Sequence, residues 1–155
     1  MKQGAVAYYS GRDLENAVEG ILKNSGIKSV KYSDWRISGK KACKKEKGIL
    51  LKRVPYINIF GGRGRGEFLL SVNGKEDIRI ECRAQNSRGS VDEKIPCLFE
   101  NACAFKEKYV ILVVEGNGFK SGVRQYLKNK CESVRHKNIK MMSLKDFSSW
   151  ALKNL

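Results

Sequence analysis

Apolar residues recur along this chain with two periods, and the switches between them mark out its elements. Over residues 11–25, Leu14, Val18, Ile21 and Leu22 fall on one helical stripe, and Gly26 follows as a stop. Residues 33–48 show no clear period and read as loop with at most a short turn. Residues 49–60 read as a strand interrupted at Pro55, whose missing N–H suits a sheet edge or a bend. The glycine-rich stretch 61–66 reads as a tight connection between strands rather than a disordered Arg-Gly segment. Phe68, Leu70 and Val72 alternate as one strand, and Ile78, Ile80 and Cys82 as the next, joined around Asn73 and Gly74.

Residues 90–105 carry Val91, Ile95, Leu98, Phe99 and Ala102 on one helical face, with Pro96 deep inside, so this helix kinks or begins near Pro96. The unbroken apolar run 109–114 suits a strand covered on both faces. A helix over 119–130, a strand over 139–142 and a helix over 144–153 follow, the last capped by the Ser143 and Asp146 pattern. The order αβββαβαβα predicts an α/β fold with a mixed central sheet flanked by helices, and 155 residues fit one domain.

The two alternating strands allow a sharper expectation. If both apolar sets face the core, residues opposite each other in the hairpin must have numbers of equal parity. That requires an odd loop, most simply Asn73, Gly74 and Lys75, which sets Phe68 opposite Ile80 and, one step on, Glu67 opposite Glu81. Two carboxylates side by side on the polar face repel unless something compensates them. A divalent cation would do so, and hard oxygen ligands favour Mg²⁺ or Mn²⁺. The competing compensation is a cationic side chain, Arg65, Arg79 or Arg83, or a bulge that separates the pair.

Charge changes the picture most. Thirty-one Lys and Arg against sixteen Asp and Glu leave +15, a repulsion that a polyanion would offset. Nucleic acid is the natural partner, because neutralised phosphates release counterions, and a membrane or a basic protein-binding surface ranks below it. Residues 36–53 hold eight of these cations against Glu46 alone. Lys40, Lys41, Lys44 and Lys45 of this run, with Arg63, Arg65 and Arg88, are the candidate phosphate contacts, unless the run is only a solvated face. With no apolar run of about 18 residues, a membrane span is not expected. The first ten residues lack the apolar core of a secretory signal, so a cytoplasmic location is expected. The five cysteines form no Cys-x-x-Cys pair and His136 is the only histidine, so reduced thiols are expected rather than a zinc site.

Glu67 followed by Glu81-x-Arg83 resembles the acidic residue and (D/E)-x-K signature of the PD-(D/E)XK nucleases. The resemblance extends to Val54, Pro55 and Tyr56, to the run GRGEFLL ending at Leu70, and to IRIEC ending at Cys82. It includes Gln85 and the stretch from Gly89 to Pro96, GRDLE ending at Glu15, VILVVEG ending at Gly116, and MSLKDF ending at Phe147 with Trp150. It thus covers most of residues 11–152 and implies a restriction-endonuclease-like fold and a metal-dependent DNA endonuclease.

By that resemblance Glu67, Glu81 and Cys82 would hold the metal, Glu15 would assist from the first helix, and Gln85 would orient water or the scissile phosphate. Glu15 also reads as a first-turn residue favouring the helix dipole, Gln85 as a strand-end hydrogen bonder, and Ser90 with Glu93 as a capping box. Arg83 stands where the family has lysine. Arginine stays charged and cannot act as a base, although it binds phosphate well. Lys94 could supply the missing ammonium; otherwise activity is reduced or the metal alone generates hydroxide. The expected reaction is hydrolysis of a DNA phosphodiester by metal-activated water. Its rival is a DNA-binding protein that has lost cleavage, and an RNA-binding protein ranks last because no aromatic stacking motif is present. Symmetric double-strand cutting would require a homodimer or a partner subunit.

Overall fold

The computed structural model describes residues 10–38, 47–89 and 91–155. These residues form α1 (Gly11–Asn24), β1 (Lys28–Lys31), α2 (Tyr32–Ser38), β2 (Gly48–Ile57), β3 (Arg63–Val72), β4 (Ile78–Ala84), α3 (Val91–Ala104), β5 (Tyr109–Glu115), α4 (Val123–Ser133), β6 (Asn138–Met142) and α5 (Leu144–Asn154). The strands make one six-stranded sheet in chain order. β2, β3 and β4 are antiparallel neighbours, whereas β1 pairs β2, β5 pairs β4 and β6 pairs β5 in parallel. The expected α/β fold with a mixed sheet is present.

Two elements go beyond the sequence reading. β1 and α2 occupy residues 28–38, the latter at the start of the segment that reads as loop with at most a short turn. Neither could be found by periodicity, since β1 has four residues and α2 buries none of its own fully. Helix α3 runs unbroken through Pro96, which only removes the hydrogen bond that would reach the carbonyl of Asp92. Pro55 lies beyond the β1 pairing on β2 and therefore on a free edge, as expected.

The helix ends follow local chemistry. Ser10 and Asp13 form a reciprocal capping box on α1, and Ser143 accepts the Asp146 N–H at 3.1 Å on α5. Helices α1 and α5 cover one face of the sheet, where Leu14, Val18, Leu22 and Phe147 pack on Phe68, Leu70, Ile80 and Cys82. Helices α3 and α4 cover the other through Ile95, Leu98, Phe99 and Leu127 on Val110, Leu112 and Val114. A smaller cluster of Ile49, Leu51, Val54 and Leu69 sits against Trp35 of α2. Among the described residues no helix is long and apolar enough to cross a membrane.

Candidate active site

The hairpin of β3 and β4 has the register expected for a three-residue loop, with Phe68 opposite Ile80 and Leu70 opposite Ile78. The pairing stops at Phe68 and Ile80, one step short of the two glutamates. Beyond it β3 remains paired to β2 as far as Arg63, and β4 remains paired to β5 as far as Ala84. The strands therefore diverge as a fork, each held by its other neighbour, and Glu67 and Glu81 stand at its apex.

A change of face accompanies the fork. Phe68 packs under α1, yet a Cβ on Gly66 would run into Glu81 Oε1 and Arg79 Nη1 on the opposite side of the sheet. Strict alternation would put residues 66 and 68 on one face, so it breaks at Glu67. Facing it, Arg53 of β2 has φ +59, a left-handed conformation that costs a bulky residue free energy. Lys52 reaches Glu19 of α1, while Val54 turns to the α2 side. The break tips Arg53 and Glu67 together into a cleft beside α1. No sequence pattern signals it.

Glu67 fills the gap left by the ladder. Its Oε2 accepts the Cys82 backbone N–H at 3.2 Å, and its Oε1 accepts from Arg83 Nη1 at 3.0 Å. The same Nη1 donates to the Cys82 carbonyl at 2.7 Å. Of the cations named as compensators, Arg83 is the one that pairs with Glu67. The Cys82 side chain is buried in the apolar cluster under α1, while its backbone N–H and carbonyl face Glu67 and Arg83.

Glu81 does not lie on an exposed polar face. It is 4% accessible, because α3 covers the sheet on that side. Burial, then a hydrogen bond with Glu67 and that residue's negative charge, push the Glu81 carboxyl well above the usual carboxylate range. Its Oε1 is buried without a hydrogen-bond partner. An orphaned carboxylate oxygen, a neighbouring carboxylate and a backbone carbonyl are all hard donors, and they fit Mg²⁺ or Mn²⁺. Among the described residues no three His, Cys, Asp or Glu side chains converge, so backbone and water oxygens would have to complete such a site.

Glu15 belongs to this neighbourhood. Burial and then the charge of Glu67 raise its carboxyl. It lines a cleft of about 540 Å³ with Glu67, Arg12, Lys52, Arg53 and Arg65. Arg12 and Glu19 lie one helical turn on either side of Glu15, so helical spacing applied to α1 would have found them.

The remaining candidates fall elsewhere. Gln85 uses both amide donors, to Gly118 O at 3.0 Å and Asp92 Oδ1 at 3.2 Å, and its Oε1 accepts the Val91 N–H at 2.9 Å. It braces the start of α3, as the strand-end reading has it, with its amide spent on Asp92, Gly118 and Val91 rather than on Glu67 or Glu81. Lys94 is exposed on the first turn of α3, with no described hydrogen bond or ion pair to either glutamate. Arg63, Arg65 and Arg88 are exposed. Lys40, Lys41, Lys44, Lys45 and Ser90 lie outside the described residues.

Behind Glu81, two residues back on β4, Arg79 is 1% accessible. It pairs with Glu107 at 3.2 Å, donates to the Val54 carbonyl at 3.3 Å, and sits 4.8 Å from the Phe105 ring centre. Its charge opposes the raised pKa of Glu81. The sequence marked Arg79 only as one of three possible compensators.

A family model described as the PD-(D/E)XK nuclease superfamily domain matches residues 6–155. No curated relative and no solved structure matched the chain.

Proposed function

The chain belongs to the PD-(D/E)XK nuclease superfamily, and from that premise we propose that it is a Mg²⁺-dependent deoxyribonuclease whose metal is held by Glu67, Glu81 and the Cys82 carbonyl. The observation that carries this reading is the apex of the fork. There one carboxyl, Glu81, is buried with an unpartnered oxygen against a second, Glu67. Burying a carboxylate in that state is costly, and a cation would remove the cost.

When bound, a divalent cation supplies a water of lowered pKa and offsets charge on the phosphoryl oxygens. The chain's own groups do the rest. Glu15, with its carboxyl raised, can accept or return a proton at the attacking water. Arg12, Lys52, Arg53 and Arg65 line the cleft and hold the phosphate backbone, while Arg83 reaches a phosphate oxygen with a guanidinium that keeps its charge. Lys40, Lys41, Lys44 and Lys45 extend the basic track in sequence.

The test is conversion of supercoiled plasmid in Mg²⁺, Mn²⁺ or EDTA by wild type and Glu81→Ala. Nicking or linearisation that needs the metal and disappears in the variant is expected. Cleavage that survives in Glu81→Ala would overturn the assignment.

One observation favours the rival reading. Arg83 Nη1 touches both the Glu67 carboxylate and the Cys82 carbonyl, two of the three donors proposed for the metal. A guanidinium that stays there in the presence of DNA would leave a protein that binds and does not cut. Absence of cleavage under every divalent metal, with tight and salt-sensitive DNA binding, would establish that alternative.

A further inference from the structure

The connection between β2 and β3 presents apolar side chains to solvent on a rigid frame. Phe60 is 84% accessible, Ile57 59% and Ile59 40%. An exposed aromatic in a flexible loop would carry no message, but this tip is fixed by hydrogen bonds. Asn58 N–H donates to Gly62 O at 2.9 Å, and Gly61 N–H donates to Asn58 O at 2.9 Å. The Asn58 side-chain oxygen accepts the N–H groups of Phe60 and Gly62, both at 3.0 Å. Ile59 N–H is tied to Asn101 of α3 at 3.1 Å. Gly61, at φ +79, makes the reversal that a side chain would resist. Every backbone N–H from Asn58 to Gly62 is thus engaged, and the apolar side chains are what remains to be used.

The surroundings name the partner. Exposed Arg63 and Arg65 follow the tip on β3 and lead to Glu67. The cavity beside the tip is lined by Arg36, Arg63 and Lys106 together with Tyr32 and Tyr56, and among the described residues no acidic side chain contributes to it. Aromatic and aliphatic side chains projecting from such a basic surface suit nucleic acid, whose bases accept an apolar wedge while phosphates pair with the arginines.

We propose that Phe60, supported by Ile59, is a wedge that enters a groove of duplex DNA and packs between base pairs, with Arg63 and Arg65 gripping the backbone between that point and the site of hydrolysis. This rests on the nuclease reading and adds to it a second, apolar point of contact. From Arg63 to Glu67 the strand covers about 13 Å. Laid along a duplex axis, that length corresponds to roughly four base steps, so the wedge would act apart from the scissile phosphate. The exposed hydrophobic tip is then a device for register on the DNA and not only for affinity.

The test uses the full chain and an end-labelled duplex of about 25 base pairs carrying 2-aminopurine at scanned positions, with Ca²⁺ in place of Mg²⁺ so that binding is read without cleavage. Wild type should raise 2-aminopurine fluorescence at the wedged step. Phe60→Ser should lose that signal and bind about 10-fold to 100-fold more weakly at every salt concentration, with an unchanged salt slope. Phe60→Leu, which keeps an apolar wedge, should retain most of both. Arg63→Ala should instead flatten the salt slope by about 1. Phe60 is on the surface, and equal thermal unfolding of the variants would confirm that the fold is kept. Equal affinity of Phe60→Ser and wild type would overturn the wedge, whether or not the variant changes self-association, and so would failure of wild type to bind the duplex. Cleavage in Mg²⁺ is scored separately. A protein that cuts with an inert Phe60 loses only the wedge, and one that never cuts yet needs Phe60 to bind loses only the nuclease reading.

Discussion

Arg83 and Glu67 meet across the fork between β3 and β4, with Nη1 3.0 Å from Oε1. The pair is partly open, with side-chain accessibilities of 30% and 19%, so it contributes little to stability by itself. Its consequence is positional, since the same nitrogen also holds the Cys82 carbonyl. In the proposed site a cation at Glu67 would compete with this guanidinium, and a displaced guanidinium would be left beside the scissile phosphate.

Arg83→Lys should therefore keep or raise Mg²⁺-dependent cleavage and lower the Mg²⁺ concentration needed for half-maximal rate. A lysine is shorter and carries a single donor head, so it competes less well for two oxygens at once. Single-turnover cleavage across a Mg²⁺ titration, with DNA affinity measured separately, reads both effects. An inactive lysine variant beside an active wild type would assign Arg83 a forked phosphate contact that lysine cannot make.

Glu81→Gln should separate chemistry from stability. The folded-state carboxyl is raised by burial and by Glu67, so the native protein holds a proton that the unfolded chain releases. Metal-free wild type and variant should be alike near pH 4, where both states are largely protonated. As pH rises through the ordinary carboxylate range, wild type should lose stability relative to the variant until the folded group ionises. Thermal unfolding from pH 4 to 8 measures that gap, and Mg²⁺ should narrow it by raising the melting temperature of wild type alone. Cleavage by the variant should be abolished.

Gly66→Ala should disable the site and leave the fold. The added methyl would overlap Glu81 Oε1 and come within 2.9 Å of Arg79 Nη1, so the carboxylate must shift. Misplacement on the order of 1 Å costs about 100-fold in rate. The expected result is that loss in the single-turnover rate with nearly unchanged DNA affinity. A fully active alanine variant would mean that Glu81 does not act in this position.

Arg79→Met should destabilise the protein by about 3–5 kcal/mol, because Glu107 is then left as a buried, unpaired charge. Both side chains are almost inaccessible, at 2% and 3%. The double variant Arg79→Met with Glu107→Leu should recover most of the loss, as measured by urea unfolding. A double variant no more stable than the single one would place the role of Arg79 with Glu81 rather than with Glu107.

The sequence by itself determined the parts of this protein that depend on local periodicity. Alternation of Phe68, Leu70 and Val72 against Ile78, Ile80 and Cys82 was enough to set the parity of the hairpin, since a slip of one residue would expose every apolar side chain, and the three-residue loop then set its register. The unbroken run of β5 was enough to show a strand covered on both faces. The same pattern could not show where pairing ends. The fork opens because β2 and β5 hold β3 and β4 on separate paths, and Arg53 takes a left-handed turn opposite Glu67, neither of which leaves a trace in alternation. Only the tertiary structure decided that Glu81 is buried under α3, that Arg83 bridges Glu67 to the Cys82 carbonyl, and that Gln85 braces a helix. Each of these depends on which distant element covers a given face, and a periodic pattern carries no information about that.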